Sequence, residues 1–206
     1  MNELEEIWDE RLHICTVGRD DLAADEYRYP YEPTPYSVLE RLADSGLIQA
    51  GDKVLDYGCG KGRVDFFLSH TVNARTVGIE YDPRIYQKAL ENQQTAVAGE
   101  AVELVPGRAE EYEPDEEVRH CYFFNPFSVE ILRGVMARLL DSYYASPREI
   151  LLYFYYPSDE YVAYLMTVDE LDFYDEIECD DLFPGKDRRE RILIFSLPDY
   201  SGEEIE

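Results

Sequence analysis

Apolar positions follow two different periods along the chain, and the change from one to the other marks the elements. Leu4, Trp8, Leu12 and Cys15 recur at near-helical spacing, which predicts an N-terminal helix. The Tyr/Pro-rich run 27–36 predicts an extended connector, because each proline biases its predecessor away from helix. Val38, Leu39 and Leu42 predict a helix over about 35–45, with Gly46 as its stop. Beyond Gly51, short apolar runs alternate with helical patterns. Strands are predicted over 53–56, 75–80, 100–105, 118–124 and 150–156, and a helix over 63–70. Asp82-Pro83 opens another helix, with a capping acid followed by a first-turn proline. Ile131, Leu132, Val135, Met136, Leu139, Leu140 and Tyr143 form the apolar face of a long one. The 150–156 run (ILLYFYY) is apolar throughout, as a strand covered on both faces should be.

Strands that alternate with helices imply an α/β fold with right-handed βαβ units and a parallel sheet. The end of the chain differs. Leu171, Phe173, Ile177 and Cys179 alternate with polar residues, and a Pro-Gly loop over 180–190 leads to an apolar run at 192–195. No helix intervenes, so these two strands are expected to pair as an antiparallel hairpin at the sheet's edge. At roughly 100–200 residues per domain, 206 residues suit one domain. The expected division is an N-terminal helix and connector over 1–33, the main domain over 34–200 and a frayed tail over 201–206.

Charge narrows the partners. Lys and Arg number 19 against 45 Asp and Glu, a formal net charge of −26. Such a surface repels phosphate backbones, so nucleic acid is not expected as a partner, and cationic or neutral partners are. Arg188, Arg189 and Arg191 form the one local cluster that could hold an anion. The small lysine count (Lys53, Lys61, Lys88, Lys186) is also compatible with a high-salt habitat. No stretch approaches the ~20 apolar residues of a membrane span. The acidic start (MNELEEIWDE) lacks the pattern of a signal peptide, so a cytoplasmic location is expected. Cys15, Cys59, Cys121 and Cys179 are scattered without a CxxC pair, and His13, His70 and His120 lack ligand spacing. No metal site is expected, and the cysteines should be thiols.

The chemistry-bearing stretch is Asp56-Tyr57-Gly58-Cys59-Gly60-Lys61-Gly62, between the first strand and its helix. In an open parallel sheet, ligands bind outside the carboxyl ends of the strands, at the topological switch point. Glycines there permit a sharp turn and close approach of a ligand to the main chain. Glu80 ends the next strand, 22 residues after Gly58, where an acid can hold both hydroxyls of a ribose. The site therefore suits an adenosine-type cofactor. The phosphate-loop motif is absent, and G-x-G-x-G departs from the dinucleotide G-x-G-x-x-G. Asp56 would repel a pyrophosphate, which wants bare N–H groups. It would welcome a ligand with a positive ammonium and a positive sulfonium, which favours S-adenosylmethionine over NAD. The plainer reading is a glycine turn before a packed helix.

Three stretches together resemble the class I S-adenosylmethionine-dependent methyltransferases: Val54-Leu55-Asp56-Tyr57-Gly58-Cys59-Gly60-Lys61-Gly62-Arg63, Val77-Gly78-Ile79-Glu80-Tyr81-Asp82-Pro83 and Tyr122-Phe123-Phe124-Asn125-Pro126-Phe127. The resemblance implies a Rossmann-like, doubly wound, seven-stranded sheet whose last strand is antiparallel. It implies that Asp56, Gly58 and Gly60, with Cys59 and Gly62 of the same turn, line the methionine part of the cofactor. Glu80 would hold the ribose, Tyr81 and Asp82 would lie beside the adenine, and Arg108, Ala109 and Glu110 would contact that ring. Asn125 would face the methyl group. Asn125-Pro126-Phe127 is similar to the Asn-Pro-Pro-aromatic motif of amino-group methyltransferases, with one proline in place of two, and these three are the candidate catalytic residues. As a plain structural feature, the same stretch is a strand end with a proline in the first turn of the next helix. Tyr155 and Tyr156 are candidates for the substrate wall, and Tyr31, Thr34 and Tyr36 for a cover over the cofactor. The function implied is methyl transfer to a small molecule or a protein. A module that binds the cofactor or a partner without turnover, and a nicotinamide-dependent reductase, remain the alternatives.

Overall fold

The computed structural model describes residues 3–22 and 27–199. Seven strands, β1 (Lys53–Tyr57), β2 (Arg75–Glu80), β3 (Val102–Pro106), β4 (Val118–Phe123), β5 (Ile150–Tyr155), β6 (Asp172–Glu178) and β7 (Arg191–Leu197), form one sheet in the order β3-β2-β1-β4-β5-β7-β6. The first five are parallel, and β7 runs antiparallel between β5 and β6. The order reverses between β1 and β4, so the chain leaves these neighbours in opposite directions and opens a crevice at their carboxyl ends.

The helices are α1 (Glu3–Leu12), α2 (Tyr36–Asp44), α3 (Arg63–Thr71), α4 (Pro83–Thr95), α5 (Val129–Ala145) and α6 (Asp159–Leu165). Strand residues alternate between two cores, one on each face of the sheet. Leu55, Tyr57, Phe123 and Phe154 pack with α5 and α6. Phe123 stacks on Tyr57 at 4.9 Å and on Phe154 at 4.6 Å between ring centroids. Val54, Tyr122, Tyr153 and Ile194 pack on the opposite face with Trp8, Tyr36, Leu39 and Phe67 of α1 to α3. Both faces are thus covered, which is why β5 reads as a continuous apolar run.

Several local expectations change. Helix α1 ends at Leu12, His13 turns left-handed (φ 59°), and Cys15 lies beyond the helix and is exposed. Asp9 explains the stop, because its carboxylate accepts both the amide and the hydroxyl of Thr16 at 2.6 Å and folds the chain back. The third strand starts at Val102, after a short turn of 3₁₀ helix over Gly99–Ala101. Helix α6 was not expected. Ser158 caps it by accepting the amide of Tyr161, and Tyr161 and Leu165 are buried beneath it. The apolar alternation of β6 is only partly buried. This strand is the edge, and a bulge between Phe173 and Asp175 leaves Phe173 exposed. The expected tail falls mostly outside the described residues. Among the described residues no helix is long and apolar enough to cross a membrane.

Candidate active site

The turn after β1 is pinned to the end of β2. The amides of Gly58 and Cys59 both donate to the Ile79 carbonyl, at 2.9 and 3.0 Å. The Gly60 amide donates to Glu80 Oε2 at 2.9 Å, and the Asp82 amide donates to Glu80 Oε1 at 2.7 Å. Two main-chain donors thus fix the Glu80 carboxylate at the mouth of the crevice. They favour its charged form, but burial outweighs them and pushes its pKa up to about 7. Gly58 and Gly60 have positive φ, and their missing side chains are used. A Cβ on Gly58 would lie 2.5 Å from Pro126 Cβ, and one on Gly60 would lie 2.3 Å from the Tyr31 ring. Asp82 caps α4 as expected, accepting the Arg84 amide at 2.9 Å.

Of the residues expected to hold a cofactor, Asp56, Gly58, Cys59, Glu80, Tyr81, Asp82, Ala109 and Glu110 line one cavity, together with Pro126 and Phe127. Gly60 and Gly62 do not line it; both hold the turn with positive φ. Arg108 is exposed at the rim, its guanidinium 5.9 Å from the Tyr81 ring centre. Tyr31 and Thr34 do cover the cavity. Tyr36 does not. It is buried behind the turn, where its hydroxyl donates to Asp9 at 2.6 Å. Asn125 lies on the wall of an adjoining cavity with Tyr155 and Tyr156.

The electrostatics of the first cavity centre on a carboxyl pair. Asp56 is 3% exposed, and its Oδ2 has no donor partner among the described residues. Asp65, fully buried on α3, faces it, and both Asp65 oxygens likewise lack a protein donor. Burial, and then the charge of Asp65, raises Asp56 well above the carboxylate range, and burial raises Asp65 as well. Two carboxyls in such contact are satisfied by a proton held between them. Gly78 makes the approach possible, since a Cβ there would lie 2.7 Å from Asp65 Oδ2. Sequence reasoning missed Asp65. Its signal was an acid set among the apolar residues Val64, Phe66, Phe67 and Leu68 of a helix start.

A strap over 27–34 crosses the crevice. The Ser128 amide donates to the Tyr27 carbonyl at 2.7 Å, and the Tyr29 amide to the Pro126 carbonyl at 3.2 Å. The Tyr31 hydroxyl donates to the Thr16 carbonyl at 2.6 Å, and Lys61 Nζ sits 4.7 Å from the Tyr31 ring centre while donating to the Val17 carbonyl. Arg28 lies 4.0 Å over the Tyr81 ring and 3.6 Å from Glu110. Arg63, 2% exposed, ties α1 to the glycine turn. It pairs with Glu5, and it donates to Thr16 Oγ1 at 2.6 Å and to the Thr34 carbonyl at 3.1 Å. Within the Arg188–Arg191 cluster, Arg189 pairs with Asp187 at 3.3 Å and Arg191 with Glu176 at 3.2 Å.

The strap also divides the crevice. Tyr29, Pro30, Glu32 and Pro33 line both cavities, as does Phe124. Asn125 adopts φ 44°, a strained value for a residue with a side chain, and its Oδ1 is buried without a partner among the described residues. Across the second cavity the Tyr155 hydroxyl donates to Glu190 Oε2 at 2.7 Å.

Residues 54–144 match a family model described as a methyltransferase domain. The match covers under half of the chain and marks this segment as similar to a methyltransferase domain. A protein-lysine N-methyltransferase of Saccharolobus islandicus is 34% identical over 74 residues, which cover 35% of this chain and 46% of that protein. A ribosomal protein L11 methyltransferase of Aeromonas hydrophila is 30% identical over 103 residues, 46% of this chain and 35% of that protein. The matches thus span less than half of these relatives. Among solved structures, a glycopeptide N-methyltransferase complexed with S-adenosyl-L-methionine has a TM-score of 0.62 at 13% identity, covering 87% of this chain and 96% of that one. An RNA methyltransferase of Salinibacter ruber in complex with S-adenosyl-L-homocysteine has a TM-score of 0.55 at 20% identity, covering 85% and 99%. At these identities the likeness is one of fold.

Proposed function

We propose that the chain is an S-adenosylmethionine-dependent methyltransferase acting on a small molecule or a protein group. The observation that carries this reading is the acidic wall beside the glycine turn, where Glu80 and Asp56, the latter paired with buried Asp65, line the cavity. Carboxyls gathered at one wall fit a ligand that brings positive charge, and S-adenosylmethionine carries an ammonium and a sulfonium. The same wall opposes the pyrophosphate of a dinucleotide, and the net charge of −26 opposes a nucleic-acid acceptor.

In this reading Asp56, Gly58 and Cys59 hold the amino-acid end of the cofactor, and Glu80 accepts hydrogen bonds from the ribose hydroxyls. Tyr81, Asp82, Ala109 and Glu110 surround the adenine, with Arg28 stacked on Tyr81 at the rim. Once bound, the cofactor supplies an electrophilic methyl group and its own leaving group. The chain's task is then orientation and exclusion of water. Tyr31 and Thr34 of the strap close the cavity from above, Pro126 and Phe127 wall it toward the acceptor, and Asn125 Oδ1 accepts a hydrogen bond from the acceptor.

Calorimetric titration with S-adenosylmethionine and S-adenosylhomocysteine, with NADH as control, tests the reading. Binding of the first two and silence with NADH is expected. Folded protein that binds neither refutes the reading. Binding without S-adenosylhomocysteine production over a broad acceptor panel would instead describe a module without turnover.

A further inference from the structure

We propose that the second cavity, between the strap and the β5–β7 end of the sheet, is an acceptor subsite for an alkylammonium group. The inference rests on the methyltransferase reading of the adjoining cavity. Its basis is the wall chemistry. Tyr29, Phe124, Tyr155, Tyr156 and Phe183 supply aromatic surface. Its acceptors are Asn125 Oδ1, which has no partner among the described residues, and the carboxylate of Glu190, one oxygen of which receives the Tyr155 hydroxyl. Arg19, the one cation on this wall among the described residues, is engaged by Asp21 at 2.7 Å and Glu32 at 3.6 Å.

A cavity rich in acceptors and poor in donors selects a ligand that brings N–H groups, and aromatic faces with carboxylates select one that brings positive charge. Tyr156 already carries a cation, since Arg189 lies 4.4 Å over its ring and donates to its hydroxyl at 2.6 Å, so the Tyr29, Phe124, Tyr155 and Phe183 surfaces are the ones left to an ammonium. A carboxylate or phosphate acceptor would meet Glu32 and Glu190 and the field of the whole chain. The position also fits. Phe124 and the strap residues line both cavities, so a nitrogen held beside Asn125 stands at their junction. For transfer, one N–H bond of the ammonium breaks and its proton passes to the Glu190 carboxylate. The lone pair left on nitrogen forms the new C–N bond as the S–CH3 bond breaks onto sulfur.

The test uses protein saturated with S-adenosylhomocysteine, titrated with n-butylammonium chloride or sodium butyrate. Butylammonium should bind and butyrate should not. Glu190→Gln keeps an acceptor for the Tyr155 hydroxyl while removing the charge. It should weaken butylammonium tenfold or more, with S-adenosylhomocysteine affinity changed less than twofold. Loss of S-adenosylhomocysteine binding by wild-type protein would sink the methyltransferase reading itself. Retained S-adenosylhomocysteine binding with no preference for butylammonium over butyrate, or with a Glu190→Gln variant indistinguishable from wild type, overturns the subsite alone. Turnover assays with n-butylamine and with a lysine-containing peptide then separate a free amine from a protein side chain as the source. Methyl transfer to either supports the proposal, and transfer confined to hydroxyl or carboxylate acceptors overturns it.

Discussion

Glu80→Gln should flatten the pH dependence of stability, and the size of the effect follows from the site. The folded-state pKa is raised from the ordinary 4.5 to about 7 by burial. A difference of about 2.5 pH units corresponds to ~3 kcal/mol. The sign is set by which form the fold prefers. Because burial favours the protonated acid, the stabilising contribution is fully present below about pH 4.5 and is lost as pH rises through about 7. Glutamine does not titrate, so the variant escapes that loss. It has its own constant deficit of ~1 kcal/mol, since one amide oxygen replaces the two oxygens that accept from Gly60 and Asp82. Urea unfolding of both proteins at pH 5, 6, 7 and 8 without added ligand isolates this group, because every other carboxylate is common to the pair. The stability difference should move by ~2.5 kcal/mol toward the variant between pH 5 and pH 8. Parallel curves would refute the argument that burial of Glu80 outweighs its two main-chain donors in the free protein. At pH 8 the same variant should bind S-adenosylhomocysteine ~1.5–3 kcal/mol more weakly, having lost a charged acceptor for the ribose.

Gly60→Ala should lower stability by ~1–2 kcal/mol from its left-handed backbone alone. It should also unseat Tyr31, whose ring would lie 2.3 Å from the new Cβ, so thermal melting with and without S-adenosylhomocysteine should show both a lower melting temperature and a smaller ligand-induced rise. A ligand-induced rise equal to that of the wild type would mean that the strap does not cover the site. Arg63→Met leaves Glu5 and Asp9 without their buried cation and should cost ~3–5 kcal/mol in urea unfolding. A loss under 1 kcal/mol would show that the pairing of α1 with the glycine turn is not what holds that corner.

The sequence by itself determined the parts governed by short-range rules. The βαβ alternation was readable because each strand carries its own apolar run and each helix its own period. The turn at Asp56 to Gly62, the acid at Glu80 and the cap at Asp82-Pro83 were readable because φ/ψ preference and main-chain hydrogen bonding act within a few residues. The edge hairpin was readable from the missing helix between β6 and β7, although its register and its bulge were not. Only the tertiary structure decided the contacts between distant residues. It set Tyr31 on Gly60, turned Tyr36 away from the site to Asp9, and drew Arg63 into a network that reaches back to Glu5. It also brought Asp65 against Asp56, and it joined Asn125, Tyr155 and Glu190 around a second cavity. No local period specifies such meetings. They arise because a buried charge or donor must find a partner wherever the packed chain can supply one, and an unpartnered group costs several kcal/mol or is left for a ligand.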